Sequence, residues 1–317
     1  MKIIIWLILC LIWGTTWVFI KIGLEDLPPI TFAAARFILA LIILTFIITY
    51  QKIPLPATMR DWKLLAMTGI LQFSVNYSLV FWSEQYISSG LAAVLQAMIT
   101  VFGLVLAWIH LPNERITWLK IVAVLLGICG VAVIFIEQLQ INSLMAFAGC
   151  AAIVVGAYAA AHGSILIKAY GGNIHPATLV FGQMLCGILP IIIYSLAVEG
   201  NPLKLHWTWR AIVSVFYLTI FGTIAAFWLY YWLLSKIEST KAMMISLVTP
   251  LIAVVIGGIF LGERLLPQTF FGGLLILASI GLIIFRRKGN LKPQIDTDKL
   301  NFEKDEITDY RPLTTDH

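Results

Sequence analysis

Ten runs of roughly 20 apolar residues follow one another along this 317-residue chain, at 3–24, 29–49, 63–83, 88–110, 116–136, 144–167, 175–198, 211–234, 240–261 and 268–285. Each is long enough to cross the ~30 Å hydrocarbon core of a bilayer as an α-helix. Inside lipid, backbone N–H and C=O groups must be satisfied within the protein, which leaves helices or a closed barrel. The runs lack the alternation and the ~10-residue length of barrel strands. The expected fold class is an all-α integral membrane protein with ten transmembrane helices. Composition agrees: 60% of residues are hydrophobic and 12% charged, against about 25% charged in a soluble domain. That balance excludes a soluble enzyme, a nucleic-acid binder and a disordered chain. The first run holds Trp6, Trp13 and Trp17 and lacks a small-residue cleavage pattern, so it reads as a span and not as a removed leader.

Basic residues set the orientation. With the N-terminus in the cytoplasm, the inner side holds Lys2, Lys52, Arg60, Lys63, Arg115, Lys120, Lys168, Lys236, Lys241, Arg286, Arg287, Lys288 and Lys292. The outer side holds only Lys21, Lys204, Arg210 and Arg264. Both termini are expected in the cytoplasm of a bacterial cell, with the protein in the inner membrane. The polar stretch 287–317 reads as a mobile tail.

The chain also resembles itself. Helix 4 runs out through Glu114-Arg115 and helix 9 through Glu263-Arg264, at an offset of 149. Tyr77, Phe81 and Trp82 of helix 3 fall on Phe227, Tyr231 and Trp232 of helix 8, and Pro29 and Arg36 of helix 2 on Pro176 and Gln183 of helix 7. This gives two five-helix repeats, 1–140 and 141–286. Five is odd, so the copies enter the membrane in opposite senses. Such inverted repeats suit a carrier whose central site opens to either side in turn.

The Trp13-Gly14 pair, the spacing from Pro29 to Arg36, and the Thr249-Pro250 step followed by Leu261-Gly262-Glu263-Arg264-Leu265 carry a resemblance. In that order, over residues 3–286, the chain resembles the drug/metabolite transporter superfamily and its ten-helix EamA-type exporters. The first half departs from the pattern at Val101, where proline is usual, and at Pro112-Asn113 before Glu114. The resemblance implies export of small polar metabolites, amino acids or drugs, without naming the solute.

Polar groups within a span face a cavity or a partner helix, because lipid is a costly neighbour. Helical spacing groups Gln72 with Asn76 in helix 3, Gln96 with Thr100 in helix 4, and Tyr158 with His162 in helix 6. Added to Trp13, Trp17, Arg36, Tyr77, Gln183, Trp228 and Tyr231, these give a candidate substrate pocket of amide and aromatic groups. Gly14 and Pro250 are candidate gating positions. For Asn76 and Gln96 the alternative is a hydrogen bond between helices. Arg36 either meets a substrate carboxylate or snorkels to the interface. His162 is either a packing residue or a proton carrier.

No phosphate-binding loop and no central Asp or Glu is present, so facilitated efflux and proton exchange through His162 both stay open. The histidines are scattered, and Cys10, Cys129, Cys150 and Cys186 lie in apolar runs without C-x-x-C spacing. No cofactor or metal is expected, the partners being a small-molecule solute and the bilayer, with the chain a monomer or weak dimer. A carrier of phosphorylated or nucleotide sugars would need several inward cations, and an intramembrane lipid enzyme would need a catalytic cluster. The function expected is export of an amino acid or related aromatic or amphipathic compound by alternating access.

Overall fold

The computed structural model describes residues 1–83, 85–87, 89–139, 141, 143–260 and 266–284. The expected Glu263-Arg264 exit and the tail 287–317 lie outside the described residues, as does the side chain of Trp17. Ten rods are seen: α1 (Lys2–Leu24), α2 (Pro29–Tyr50), α3 (Met59–Ser83), α4 (Leu91–His110), α5 (Trp118–Ile134), α6 (Leu144–Tyr170), α7 (Pro176–Glu199), α8 (Trp209–Lys236), α9 (Ser239–Ile256) and α10 (Pro267–Ile284). No strand occurs among the described residues. The chain is thus a multi-pass, all-helical membrane protein of ten spans. Below, the end of the bundle where α1 begins is the proximal end and the other the distal end.

Local chemistry starts the rods where the apolar runs start. The hydroxyls of Thr58, Ser143 and Thr208 accept from Asp61 N, Ala146 N and Ala211 N at 3.0–3.1 Å, satisfying N–H groups that no helical carbonyl reaches. Pro29 and Pro176 occupy the first turns of α2 and α7, where the missing N–H costs nothing.

The helix pairing fits the inverted repeat expected from the sequence. A twofold exchanging α1–α5 with α6–α10 maps the pairs α2–α7 and α5–α10 onto themselves and exchanges α4–α6 with α9–α1. All four pairs are packed together in the structure. Two of the seams depend on glycine. A Cβ on Gly130 of α5 would stand 2.7 Å from the carbonyl oxygen of Gly272 in α10, and one on Gly272 would stand 2.4 Å from that of Gly130. A Cβ on Gly69 of α3 would stand 2.2 Å from Gln183 O in α7. With no hydrophobic drive between helices in lipid, such close backbone approach is what binds rods together.

π turns interrupt three of the rods among the described residues, two of them at matching positions of the repeat. α3 opens into a wide π turn at Ile70–Asn76, and α8 does so at Leu218–Ala225. The offset of 150 that aligns these helices carries one turn onto the other. Each π turn inserts a residue and rotates everything after it about the helix axis.

Candidate functional site

The two π turns face a cavity of about 220 Å³ enclosed by α1, α2, α3, α4, α6, α8 and α9. Its aromatic wall is built on Trp13, whose ring lies edge-on to Phe227 at 5.7 Å and tilted to Tyr230 at 5.4 Å. The Trp13 Nε1–H donates to the carbonyl of Gly222 in the α8 π turn, at 3.3 Å. The floor is α9, through Ala242, Met243, Ser246 and Thr249. Thr100 of α4 binds that floor, 3.0 Å from the Ser246 hydroxyl and 3.3 Å from Met243 O.

The polar side is short. Gln96 Nε2 donates to Asn76 Oδ1 at 3.1 Å, joining α4 to α3. Arg36 is 4% exposed, so it does not snorkel. Its guanidinium carbon lies 4.6 Å from the Phe37 ring centre and 4.9 Å from that of Tyr77, a cation–π placement. No Asp or Glu is among the described residues lining the cavity. Arg36 stands seven residues, or roughly 10 Å at ~1.5 Å per residue, from the distal start of α2. That start is held by Glu199, which accepts from Ile30 N at 2.9 Å, Thr31 N at 2.5 Å and the Thr31 hydroxyl at 2.7 Å. A π turn at Ser195–Glu199 carries the carboxylate there.

Below the floor, at the proximal end, lies a buried charge cluster. Glu114, 6% exposed, accepts from Ser239 N at 2.9 Å through each oxygen and from the Ser239 hydroxyl at 2.5 Å. Lys168 of α6 lies 2.6 Å from the same carboxylate and donates also to Ile237 O. Beside it, Lys120 of α5 pairs with Glu238 at 3.4 Å. The sequence suggests that Glu114 serves the helix that follows it. Instead it serves the start of α9, 125 residues away, while Thr117 caps α5. The long reach arises because α4 and α9 converge at this end.

Of the residues expected in a pocket, Trp13, Arg36, Gln72, Asn76, Tyr77 and Gln96 line the cavity. Thr100 binds its floor, and five others lie elsewhere. Gln183 is fully buried in packing, donating to the Thr68 hydroxyl at 2.7 Å and accepting from Tyr231 OH at 2.5 Å. Trp228 turns outward against His175, with ring centres 5.5 Å apart. Tyr158 and His162 look away from the cavity along the α4–α6 seam: His162 lies 5.6 Å from His110 and 5.5 Å from Tyr158, which is 42% exposed. Gly14 is pressed on Ile252 of α9, where a Cβ would stand 2.3 Å from the side chain. Pro250 is buried inside α9, next to the lining residue Thr249. Spacing alone did not single out Thr16, Ser164, Tyr230 and Ser246, which also line the cavity.

The comparisons with known proteins agree with this architecture. The EamA-like transporter family matches the chain twice, over residues 1–136 and 147–285. An uncharacterized transporter of Archaeoglobus fulgidus is 31% identical over 89% of this chain and 99% of its own length. A protein of Escherichia coli named "Probable amino-acid metabolite efflux pump" is 27% identical over 88% of this chain and 93% of its own. A solved structure, described only as the crystal structure of a protein, shares the fold with a TM-score of 0.77 at 13% identity, over 89% of this chain and 96% of that one. Matched in both halves by the family model, and built of ten spans, the chain belongs to the EamA-like transporter family.

Proposed function

We propose that this transporter exports a small organic metabolite, an amino acid or a related aromatic or amphipathic compound, by alternating access. The observation that supports this best is the cavity at the junction of the two halves, with the Glu114 cluster on its proximal side. Its volume is below the ~300 Å³ at which drug-sized pockets begin, which favours metabolites over bulky drugs. Rings from Trp13, Tyr77, Phe227 and Tyr230 supply area for an apolar side chain, and amides and hydroxyls supply orientation. Relatives in Escherichia coli and Salmonella typhimurium named as amino-acid metabolite efflux pumps point the same way. Arg36 is the one cation among the described lining residues, which argues against phosphorylated sugars, whose doubly charged groups call for several.

In this reading the two repeats, 1–140 and 141–286, rock about the α2–α7 and α5–α10 seams. The proximal end is cytoplasmic, both termini lie there, and the protein sits in the cell's inner membrane. Release of Glu114 from Ser239 and Lys168 opens the cytoplasmic side. The solute is the partner, no cofactor is needed, and the working unit is a monomer or weak dimer. Counterflow of radiolabelled amino acids in proteoliposomes tests the proposal. Saturable exchange of at least one amino acid supports it, and no exchange across the full set overturns it.

A further inference from the structure

Two buried polar atoms on this cavity have no hydrogen-bond partner among the described residues, and they are of opposite kind. One is Arg36 Nε, a donor on a permanently charged group; the other is Gln96 Oε1, an acceptor. A buried unpaired polar atom is costly, and an unpaired N–H on a guanidinium more so, since arginine does not give up its proton. The repeat sharpens the point. Gln183, at the position equivalent to Arg36, is fully paired by Thr68 and Tyr231. The protein completes the hydrogen bonding on one side of the twofold and leaves it open on the other.

The two open atoms flank neighbouring residues of α3. Arg36 lies on the ring of Tyr77, and Gln96 is tied to Asn76. Arg36 and Gln96 line the same cavity of about 220 Å³, so one small solute held there can meet both. We infer that the cavity holds its solute by an anionic group, Arg36 taking one carboxylate and Gln96 Oε1 taking an N–H of the same molecule. The inference rests on the transport reading above and adds a charge rule to it. Solutes with one carboxylate enter, whether zwitterionic or anionic, and cationic solutes without a carboxylate do not. The aromatic faces of Phe37 and Tyr77 are engaged with Arg36 itself, so they do not offer a free seat to a second cation.

The test uses the intact protein in proteoliposomes and four probes of one shape: phenylalanine, N-acetylphenylalanine, phenylalaninamide and 3-phenylpropanoate. Each competes for binding, read by intrinsic tryptophan fluorescence, and for exchange. Phenylalanine and N-acetylphenylalanine should bind at least 10-fold more tightly than phenylalaninamide, which lacks the carboxylate. 3-Phenylpropanoate, lacking the N–H, should fall between. The Arg36→Gln variant should bring the phenylalanine-to-amide ratio close to one, and Gln96→Met should remove the preference for phenylalanine over 3-phenylpropanoate. Equal or tighter binding of phenylalaninamide to the unaltered protein overturns the inference and leaves the amino-acid reading standing. Binding of N-acetylphenylalanine or 3-phenylpropanoate without phenylalanine retires the amino-acid reading and supports the inference. Failure of all four overturns the inference, and the amino-acid reading then stands or falls on exchange across the full amino-acid set.

Discussion

Glu114 holds the backbone amide of Ser239 with both carboxylate oxygens, each at 2.9 Å, across 125 residues of chain. A carboxylate on a helix N-terminus is favoured by the helix dipole and by its unpaired N–H groups. The contact therefore joins α4 to α9 more firmly than a surface pair would.

Glu114→Ala leaves Lys168 without its buried partner, and breaking such a pair costs about 3–5 kcal/mol. The expected outcome is a lower midpoint in detergent unfolding. A thiol-specific reagent should also label a cysteine placed at Ala242, on the cavity floor, faster from the proximal side. Unchanged labelling would show that the cluster does not close that end.

Gly130→Leu and Gly272→Leu should each weaken the α5–α10 seam, because even a Cβ at these sites meets a carbonyl oxygen at 2.7 or 2.4 Å. Overpacking costs of about 1–3 kcal/mol are typical where side chains can shift, and backbone cannot, so the loss should lie at or above that range. Gly172→Ala, with no atom within 4 Å of its added carbon, is the control and should stay within about 0.5 kcal/mol of the parent. Thermal unfolding in detergent checks both.

Gln183→Leu should reduce stability by about 1–3 kcal/mol, since it leaves Tyr231 without its acceptor in a buried site. The KM of protein that folds should not change, because Gln183 does not line the cavity. Transport kinetics measured beside unfolding separate the two effects. A selective rise in KM would return Gln183 to the site.

His162→Ala should leave both KM and the pH profile of transport as they are. The titratable groups around it are His110 and Tyr158, on the outer α4–α6 seam, and neither touches the cavity. A profile displaced by the substitution would place a proton path along that seam.

The ten spans were legible because hydrocarbon thickness imposes a length that composition alone reveals. Arg36, Asn76 and Gln96 were legible for a related reason: a polar group deep in a span needs something to meet. Rotation about the helix axis was not legible. Tyr231 was chosen on α8, whereas Tyr230 faces the cavity, one residue and about 100° away. For α6, spacing correctly put Tyr158 and His162 on one face, but nothing in the spacing says which neighbour that face meets. Gln183 shows a further limit: a buried amide satisfied by a hydroxyl and a phenol has the same sequence signature as one waiting for a solute.

The clasp of Glu199 on the first turn of α2 has an electrical consequence. It anchors the helix that carries Arg36, so in the alternating-access cycle proposed above that positive charge would keep its depth while water reached it first from one face of the bilayer and then from the other. Moving the field around a stationary charge is equivalent to moving the charge through the field, worth at most ~2.3 kcal/mol per 100 mV. A carrier returning empty bears that work, as does one loaded with a net-neutral zwitterion, and one loaded with a net-anionic solute does not. Membrane voltage should therefore act on the return stroke.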